Sequence, residues 1–239
     1  MSAAPVPLST ARVLLVGVGG LGCPAALALA TAGVGVLGLA DDDVVDLSNL
    51  HRQILFREAD VGADKLDAAA GALKEVAPGV SLVLHRTRLL PENALALVCE
   101  YDCVAEGSDN FATKFLVADA CKLAGVPVVH AAAVRWHGTA LAVSAQGAPC
   151  YRCLFEDIPR DHAPNCAEAG VIGPMVGVVG SVQAELVLDT LQRRNVGGTL
   201  VTLEGKGGIV RRRTFRGRAN CELCGAEKRI GGIQQARYT

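Results

Sequence analysis

Residues 40–53 read ADDDVVDLSNLHRQ. They begin where an apolar run, Val34 to Ala40, reaches its carboxyl end, and three carboxylates follow at once, Asp41, Asp42 and Asp43. Val44 and Val45 return to apolar character; Ser48, Asn49, His51, Arg52 and Gln53 are polar again. An ordinary connection is richer in glycine and serine. Acids, hydrogen-bonding side chains and a fixed cation within a dozen positions suit the floor of a nucleotide site. Upstream, Arg12 to Val16 reads as a buried parallel strand. The turn Gly17-Val18-Gly19-Gly20-Leu21-Gly22 follows it, then a helix from about Cys23 to Ala32 and a second strand from about Gly35 to Ala40. This is a βαβ unit with a GxGxxG turn. Gly17, Gly19, Gly20 and Gly22 let backbone approach a phosphate, and the helix start offers unpaired N–H groups and a positive dipole end. Asp41 lies 19 positions after Gly22, where an acid can accept from ribose hydroxyls. The plainer reading, tight packing of strand on helix, accounts for the glycines but not for the acid at that offset.

Downstream the alternation continues. Asp64 to Val76 is an amphipathic helix with Leu66, Ala70 and Leu73 on one face and Lys65 at its start. Val80 to Leu84 reads as a strand, Pro91 to Val98 as a short helix and Tyr101 to Ala105 as a strand. Gly107-Ser108-Asp109-Asn110 sits at the carboxyl end of that last strand, the edge where ligands gather in open parallel sheets. A helix from about Phe111 to Leu123 precedes strands at Val126 to His130 and Thr139 to Ser144. The expected fold is a doubly wound, Rossmann-like α/β sheet, mostly parallel. The last third departs from this pattern. A breaker-rich crossover, Pro149 to Cys166, leads into a long apolar helix, Gly173 to Leu191. Thr199 to Leu203 and Ile209 to Phe215 predict an antiparallel C-terminal strand pair, and Gly231 to Thr239 a loose tail. One domain over 1–239 is expected: a 1–11 extension, a 12–146 nucleotide-binding core, a 147–228 crossover, helix, strand and knot region, and a 229–239 tail.

Composition excludes other classes. At 239 residues and 51% apolar content the chain can bury a sizeable core. A net charge of -1 argues against a nucleic-acid binder. Val13 to Ala40 is uncharged and long enough to span a bilayer, but its internal glycines and Pro24 suit strand–turn–helix–strand instead. The first ten residues show neither a basic nor an apolar signal region, so a cytoplasmic location and no membrane partner are expected.

Nine cysteines are present. Cys150 and Cys153, Cys221 and Cys224 form two CxxC pairs with 67 residues between them. Each pair places two thiolates on one turn, and two such turns make a four-sulfur zinc cage. A redox dithiol or two disulfides are the alternatives. A reducing compartment disfavours disulfides, and neither pair reads as opening a helix as a thioredoxin-type motif would. Cys23, Cys99, Cys103 and Cys121 fall in or beside apolar elements and are expected in the core. Cys166 lies in a polar loop just before the long helix.

Together these motifs resemble the ThiF/MoeB/HesA family, relatives of the ubiquitin-activating enzymes. The residues that carry the likeness are the glycine turn, Asp41 to Asp43, Ser48-Asn49-Leu50-His51-Arg52-Gln53, Lys65, Ser108-Asp109-Asn110, the two CxxC pairs and Cys166-Ala167-Glu168-Ala169-Gly170-Val171. It runs from about Arg12 to Cys224. The resemblance implies a homodimeric enzyme that uses ATP and Mg2+ to adenylate the C-terminal glycine carboxylate of a small ubiquitin-fold sulfur-carrier protein ending in Gly-Gly, releasing pyrophosphate before a sulfur donor protein acts. It implies phosphate contacts for Arg52 and Lys65, a magnesium ligand in Asp109 and the ribose at Asp41. Asp43, Ser48, Asn49, Gln53 and Asn110 complete the implied nucleotide set, with zinc on the four cysteines. In sulfur-transferring relatives a cysteine matching Cys166 can form a covalent acyl link to the carrier. One departure stands out. The family usually carries an arginine-rich RYxRQ-like segment ahead of the first strand, and residues 1–11 contain no arginine. Two rival functions share the motifs. An NAD-dependent oxidoreductase would explain the glycines and Asp41 but give Arg52, Lys65 and Asp109 no task; a non-catalytic carrier-binding subunit would fit the missing arginine.

Overall fold

The computed structural model describes residues 5–159 and 170–238. Cys166 lies outside them. Eight strands form one sheet: β1 (Arg12–Val16), β2 (Val36–Asp41), β3 (Ser81–Arg86), β4 (Cys103–Glu106), β5 (Val128–Val134), β6 (His137–Val143), β7 (Thr199–Glu204) and β8 (Ile209–Thr214). Their order across the sheet is β3-β2-β1-β4-β5-β6-β7-β8. The pairs from β3 to β5 are parallel, and β5-β6-β7-β8 are antiparallel. The sequence therefore predicted both halves correctly, with most strand ends moving by no more than two residues and the end of β5 moving from His130 to Val134.

Strand alternation sorts the core into two layers. Val13, Leu15, Cys103, Ala105, Val129 and Ala131 face one side; Leu14, Val16, Val104 and Val128 face the other. Parallel strands covered on both faces need apolar residues at every position, which is why RVLLV shows no polar alternation. The first face is covered by α1 (Gly22–Thr31), α2 (Lys65–Val76) and the long helix α6 (Gly173–Leu191). The second is covered by α3 (Ala94–Val98), α4 (Phe111–Ala124), the short α5 (Tyr151–Phe155) and the cysteine-bearing loops. On α2 the buried apolar set is Leu66, Ala69 and Leu73, with Ala69 in place of the expected Ala70.

The apolar run Val13 to Ala40 is β1, α1 and β2 rather than a bilayer span. Helix α6 is long and apolar enough to cross a membrane, yet it lies against α1, β5 and β6 with over half of its apolar window buried. Gly180 lets it approach: a Cβ there would sit 2.5 Å from Leu21 O and 2.6 Å from Pro24 Cγ.

Three expectations are corrected. Cys150 caps α5, so the first CxxC does open a helix, one of five residues. Cys99 is exposed, because it follows the end of α3 instead of lying within it. Cys23, Cys103 and Cys121 are core thiols, and burial pushes Cys23 and Cys103 up to about 12. The segment after Cys224 is not loose. Arg229 N–H and Ile230 N–H both donate to Glu222 O, Ile230 and Tyr238 are buried, and Tyr238 Oη–H donates to Asp119 Oδ2 at 2.8 Å.

Candidate functional site

A cavity of about 570 Å³ opens at the carboxyl ends of β1, β2, β3 and β4. The sheet order reverses there: β1 runs on toward β2 on one side and lies beside β4 on the other, and the loops leaving the two strands part to form a crevice. Gly17 and Gly107 make that crevice narrow at its base. A Cβ on Gly17 would be 3.4 Å from Gly107 C and from Ser108 N, and Gly17 has φ +87°, a conformation that favours glycine.

The structure brings most of the expected residues to this cavity. Gly17, Gly19, Gly20, Asp41, Asp43, Arg52, Gln53, Lys65, Asp109 and Asn110 all line it. The stem of Arg52 runs over the glycine turn, its Cγ and Cδ 3.4 Å from where a Gly20 Cβ would be. Gln53 Nε2 is 3.7 Å from the equivalent point on Gly19. Gln53 is buried, and its Oε1 has no hydrogen-bond partner among the described residues. Such a buried acceptor beside the glycine turn is suited to a ligand donor or a bound water.

The acidic stretch is stitched to the start of α2. Val45 N–H donates to Ala63 O, Lys65 N–H to Asp43 O, and Lys65 Nζ to Asp43 Oδ2 at 2.9 Å. Asp64 caps α2 through Leu66 N–H and Asp67 N–H. Lys65, only 4% exposed, therefore holds its ammonium at the cavity wall against one carboxylate. Asp41 Oδ2 accepts from Val18 N–H (2.7 Å) and Oδ1 from Asp43 N–H (3.0 Å). These bonds fasten the glycine turn to β2; each carboxylate oxygen keeps a further lone pair for a ribose hydroxyl.

Four expected residues have other tasks. Ser48 does not line the cavity: its N–H and Oγ–H both bond Asp46 Oδ1 in an exposed turn. Asn49 also stands back from it, and its Oδ1 accepts from Arg52 Nη2 at 2.5 Å, so it aims the guanidinium. Gly22 is a packing position, where a Cβ would fall 2.0 Å from Gly17 O. Asn110 reaches the cavity, but its Oδ1 caps α4 through Thr113 N–H. The cap of α4 is thus Asn110, which leaves Asp109 exposed at the cavity.

Beneath Asp109 lies a buried ionic cluster that sequence reading missed. Glu106, 0% exposed, ends β4. Its Oε1 accepts from Ser108 N–H and Ser108 Oγ–H, and its Oε2 from Lys114 Nζ at 2.8 Å, with His130 Nδ1 3.1 Å away. Burial alone would push this carboxyl up, but Lys114 and His130 override it and hold it at about 2. Burial moves His130 the other way, lowering its pKa, so its ring stays neutral. The cluster fixes the loop that presents Asp109.

Arg88, Gln235 and Tyr238 also line the cavity and were not foreseen. Arg88 follows β3 by two residues and pairs with Asp42 at 2.9 Å. The carboxyl-edge rule that found Asp109 would have found it. Gln235 and Tyr238 carried no local signal.

The four expected cysteines meet on the second face. Their sulfurs lie within 4.8 Å of one another, with separations of 3.8 Å (Cys150–Cys153), 3.5 Å (Cys150–Cys221) and 3.3 Å (Cys153–Cys224). A tetrahedron with 2.3 Å metal–sulfur bonds has edges of about 3.8 Å, so the donor set and spacing fit a closed four-thiolate metal site. Arg218 N–H donates to Cys153 Sγ at 3.4 Å, the kind of outer bond that steadies a thiolate ligand.

A family model described as the ThiF family matches residues 6–225. The chain belongs to the ThiF family. Among curated relatives, the adenylyltransferase and sulfurtransferase MOCS3 of Sus scrofa is 44% identical over 231 residues, covering 95% of this chain and 51% of that protein. The protein of the same name from Dictyostelium discoideum is 40% identical over 223 residues, covering 91% and 52%. This chain thus spans about half the length of the curated ThiF-family relatives it matches. Among solved structures, E. coli MccB with ATP aligns with a TM-score of 0.80 at 22% identity, over 91% of this chain and 67% of that one. At that identity the likeness speaks to the fold alone: the mostly parallel sheet with antiparallel C-terminal strands is shared.

Proposed function

We propose that this ThiF-family chain adenylates the C-terminal glycine carboxylate of a small ubiquitin-fold sulfur-carrier protein, consuming ATP and releasing pyrophosphate. The observation that carries the proposal is the convergence of Gly19, Gly20, Arg52, Lys65, Asp41 and Asp109 on one cavity at the reversal of the sheet. The name of the Sus scrofa relative, adenylyltransferase and sulfurtransferase, supports it.

The chemistry explains the residues. A carrier carboxylate oxygen attacks the α-phosphorus, a new P–O bond forms, and the bond to the β-phosphate oxygen breaks with its electrons leaving on pyrophosphate. An anion must therefore approach a polyanion, and charge develops on the α-phosphate oxygens. The N-terminus of α1 and the turn N–H groups receive phosphate oxygens. Arg52, steadied by Asn49, and Lys65, steadied by Asp43, supply cations without freedom to swing away. Asp109 would hold Mg2+, which when bound neutralises phosphate charge. Asp41 takes the ribose. Arg88, paired with Asp42, brings a further cation to the cavity. An oxidoreductase reading would leave Arg52, Lys65 and Asp109 idle.

Zinc on Cys150, Cys153, Cys221 and Cys224 is proposed as structural, since four thiolates leave no open coordination position. Cys166, outside the described residues, is proposed for the later sulfur-transfer step and not for adenylation. The test incubates the protein with ATP, Mg2+ and a panel of Gly-Gly-ending carriers, following ATP–pyrophosphate exchange and the intact mass of each carrier. A carrier heavier by one AMP, with exchange that depends on that carrier, is expected. No exchange with any carrier, alongside nicotinamide-cofactor oxidation, would replace this function with the oxidoreductase. With Cys166→Ser, pyrophosphate release should persist; its collapse would contradict the separation of steps.

A further inference from the structure

The cavity has two unlike halves. One is polar and carries the glycine turn, Asp41, Arg52 and Lys65; the other is lined by Leu89, Pro91, Ala112, Leu116 and Tyr238. A nucleotide has the same asymmetry, a polyanion at one end and a flat aromatic base at the other. The phosphate end is accounted for by the cations. The apolar residues suit a weakly polar occupant, and Tyr238 is the aromatic residue among them.

Tyr238 reaches the cavity from the C-terminal segment, beyond residues 6–225 matched by the family model. Its position is heavily determined. The hydroxyl donates to Asp119 Oδ2 at 2.8 Å. Asp119, fully buried, is also gripped by Arg152 through Nε (2.8 Å) and Nη2 (2.9 Å). Arg152 stands between Cys150 and Cys153 in the four-sulfur cluster. Burial and the Asp119 carboxylate push the tyrosine hydroxyl up, so it keeps its proton and remains a donor. The chain leading to Tyr238 is pinned as well, at Ile230 by Glu222 of the second CxxC turn. With its hydroxyl engaged, what Tyr238 can offer a ligand is its ring. Gln235, exposed and one helical turn earlier, can offer an amide to a base edge.

We propose that Gln235 and Tyr238 form part of the base-side wall of the nucleotide pocket, with the Tyr238 ring as the contact for a purine base. The inference rests on the nucleotide reading given above. It makes the cysteine cluster an anchor for nucleotide recognition, through Arg152, Asp119 and the pinned tail.

The test is calorimetric binding of two probes to the full chain in the presence of Mg2+: ATP, and inorganic tripolyphosphate, which has the charge but no base. Tyr238→Ala and Tyr238→Leu should weaken ATP binding roughly tenfold, the order of one base–aromatic contact, and leave tripolyphosphate binding unchanged. Tyr238→Leu keeps a bulky apolar side chain in place should the alanine variant fold poorly. Tyr238→Phe keeps the ring and should stay within about threefold of wild type for ATP, having lost one hydrogen bond. Wild-type ATP affinity in both the alanine and leucine variants overturns the inference while leaving the nucleotide reading intact. An equal loss for both probes overturns it too, because the residue would then act on the fold or the phosphate end. A wild-type protein that binds neither probe removes the nucleotide reading, and this inference with it.

Discussion

Arg52 sums up the site at the scale of one residue. Its charge faces the cavity, its stem covers Gly20, and its polar contacts are to Asn49 and His51 of its own turn. Among the described residues it forms no ion pair, so its removal should spare the fold. Arg52→Ala is expected to lower carrier-dependent pyrophosphate exchange by roughly 10²-fold or more, the order seen when one preorganised stabilising group is lost, with an unchanged melting temperature. Wild-type exchange in that variant would contradict its assignment. Asn49→Ala removes only the group that aims the guanidinium, and a loss of about tenfold is expected, corresponding to one charge-assisted hydrogen bond. If Asn49→Ala were as damaging as Arg52→Ala, Asn49 would have to meet the ligand itself, against its position outside the cavity.

At the scale of the element, the β4–α4 connection is a rigid loop standing on a buried ion pair. Glu106→Gln would leave the Lys114 ammonium buried with only Ala131 O and an uncharged amide for company. A loss of about 3 kcal/mol is expected, read as a lowered denaturation midpoint. Pairing it with Lys114→Met should restore part of that loss, since the unpaired charge goes with it. A double variant no better than the single one would show that the charge itself is not the cost. The pH dependence has a definite sign. The Glu106 carboxyl is held below its ordinary 4.5, at about 2, so the folded protein binds its proton less readily than the unfolded chain does. Its contribution is fully present above pH 4.5 and is lost as pH falls toward about 2. Between those values the Glu106→Gln variant should show a shallower acid-induced loss of stability than wild type; identical slopes would contradict the assignment.

At the scale of the whole molecule, two features tie distant parts together. The cysteine cluster joins the crossover after β6 to the loop after β8 across 67 intervening residues. One zinc per chain is expected by elemental analysis, and chelation should lower the melting temperature by roughly 10 °C, equivalent to a few kcal/mol for a chain of this size. An equally stable metal-free preparation would refute that. Helix α6 is the second feature. It buries Met175, Val179, Ala184, Leu186 and Val187 but leaves Val178 50% exposed beside Pro174, Gly177 and Val182. The homodimer that the family resemblance implies would cover this stripe. Sedimentation at micromolar concentration should show a dimer, and Val178→Asp should shift it toward monomer; a wild-type monomer would rule this interface out. β8 offers a poorer surface for association, because Arg211, Arg212 and Arg213 guard its exposed edge.

How much of this was legible beforehand follows from the range of the forces involved. The βαβ unit, the glycine turn, the acidic strand end and the sheet's alternation are local: apolar periodicity and backbone freedom act within a few residues, so the sequence by itself determined them. The two CxxC pairs were legible for a similar reason, since each turn is short and thiolates share one preferred metal geometry. What the sequence could not show was pairing across long separations. Asn49 turning inward to Arg52 instead of outward to the ligand depended on where the Gly20 turn lay. Glu106 reads as an ordinary acid until β5 brings His130 and α4 brings Lys114 against it. The clearest case is the tail. Residues 229–238 look unstructured because they lack periodicity, and they are ordered by partners outside the segment, the nearby Glu222 through the backbone and the distant Asp119 at the Tyr238 hydroxyl. Only the tertiary structure decided that, because a buried carboxylate needs its donors wherever in the chain they come from.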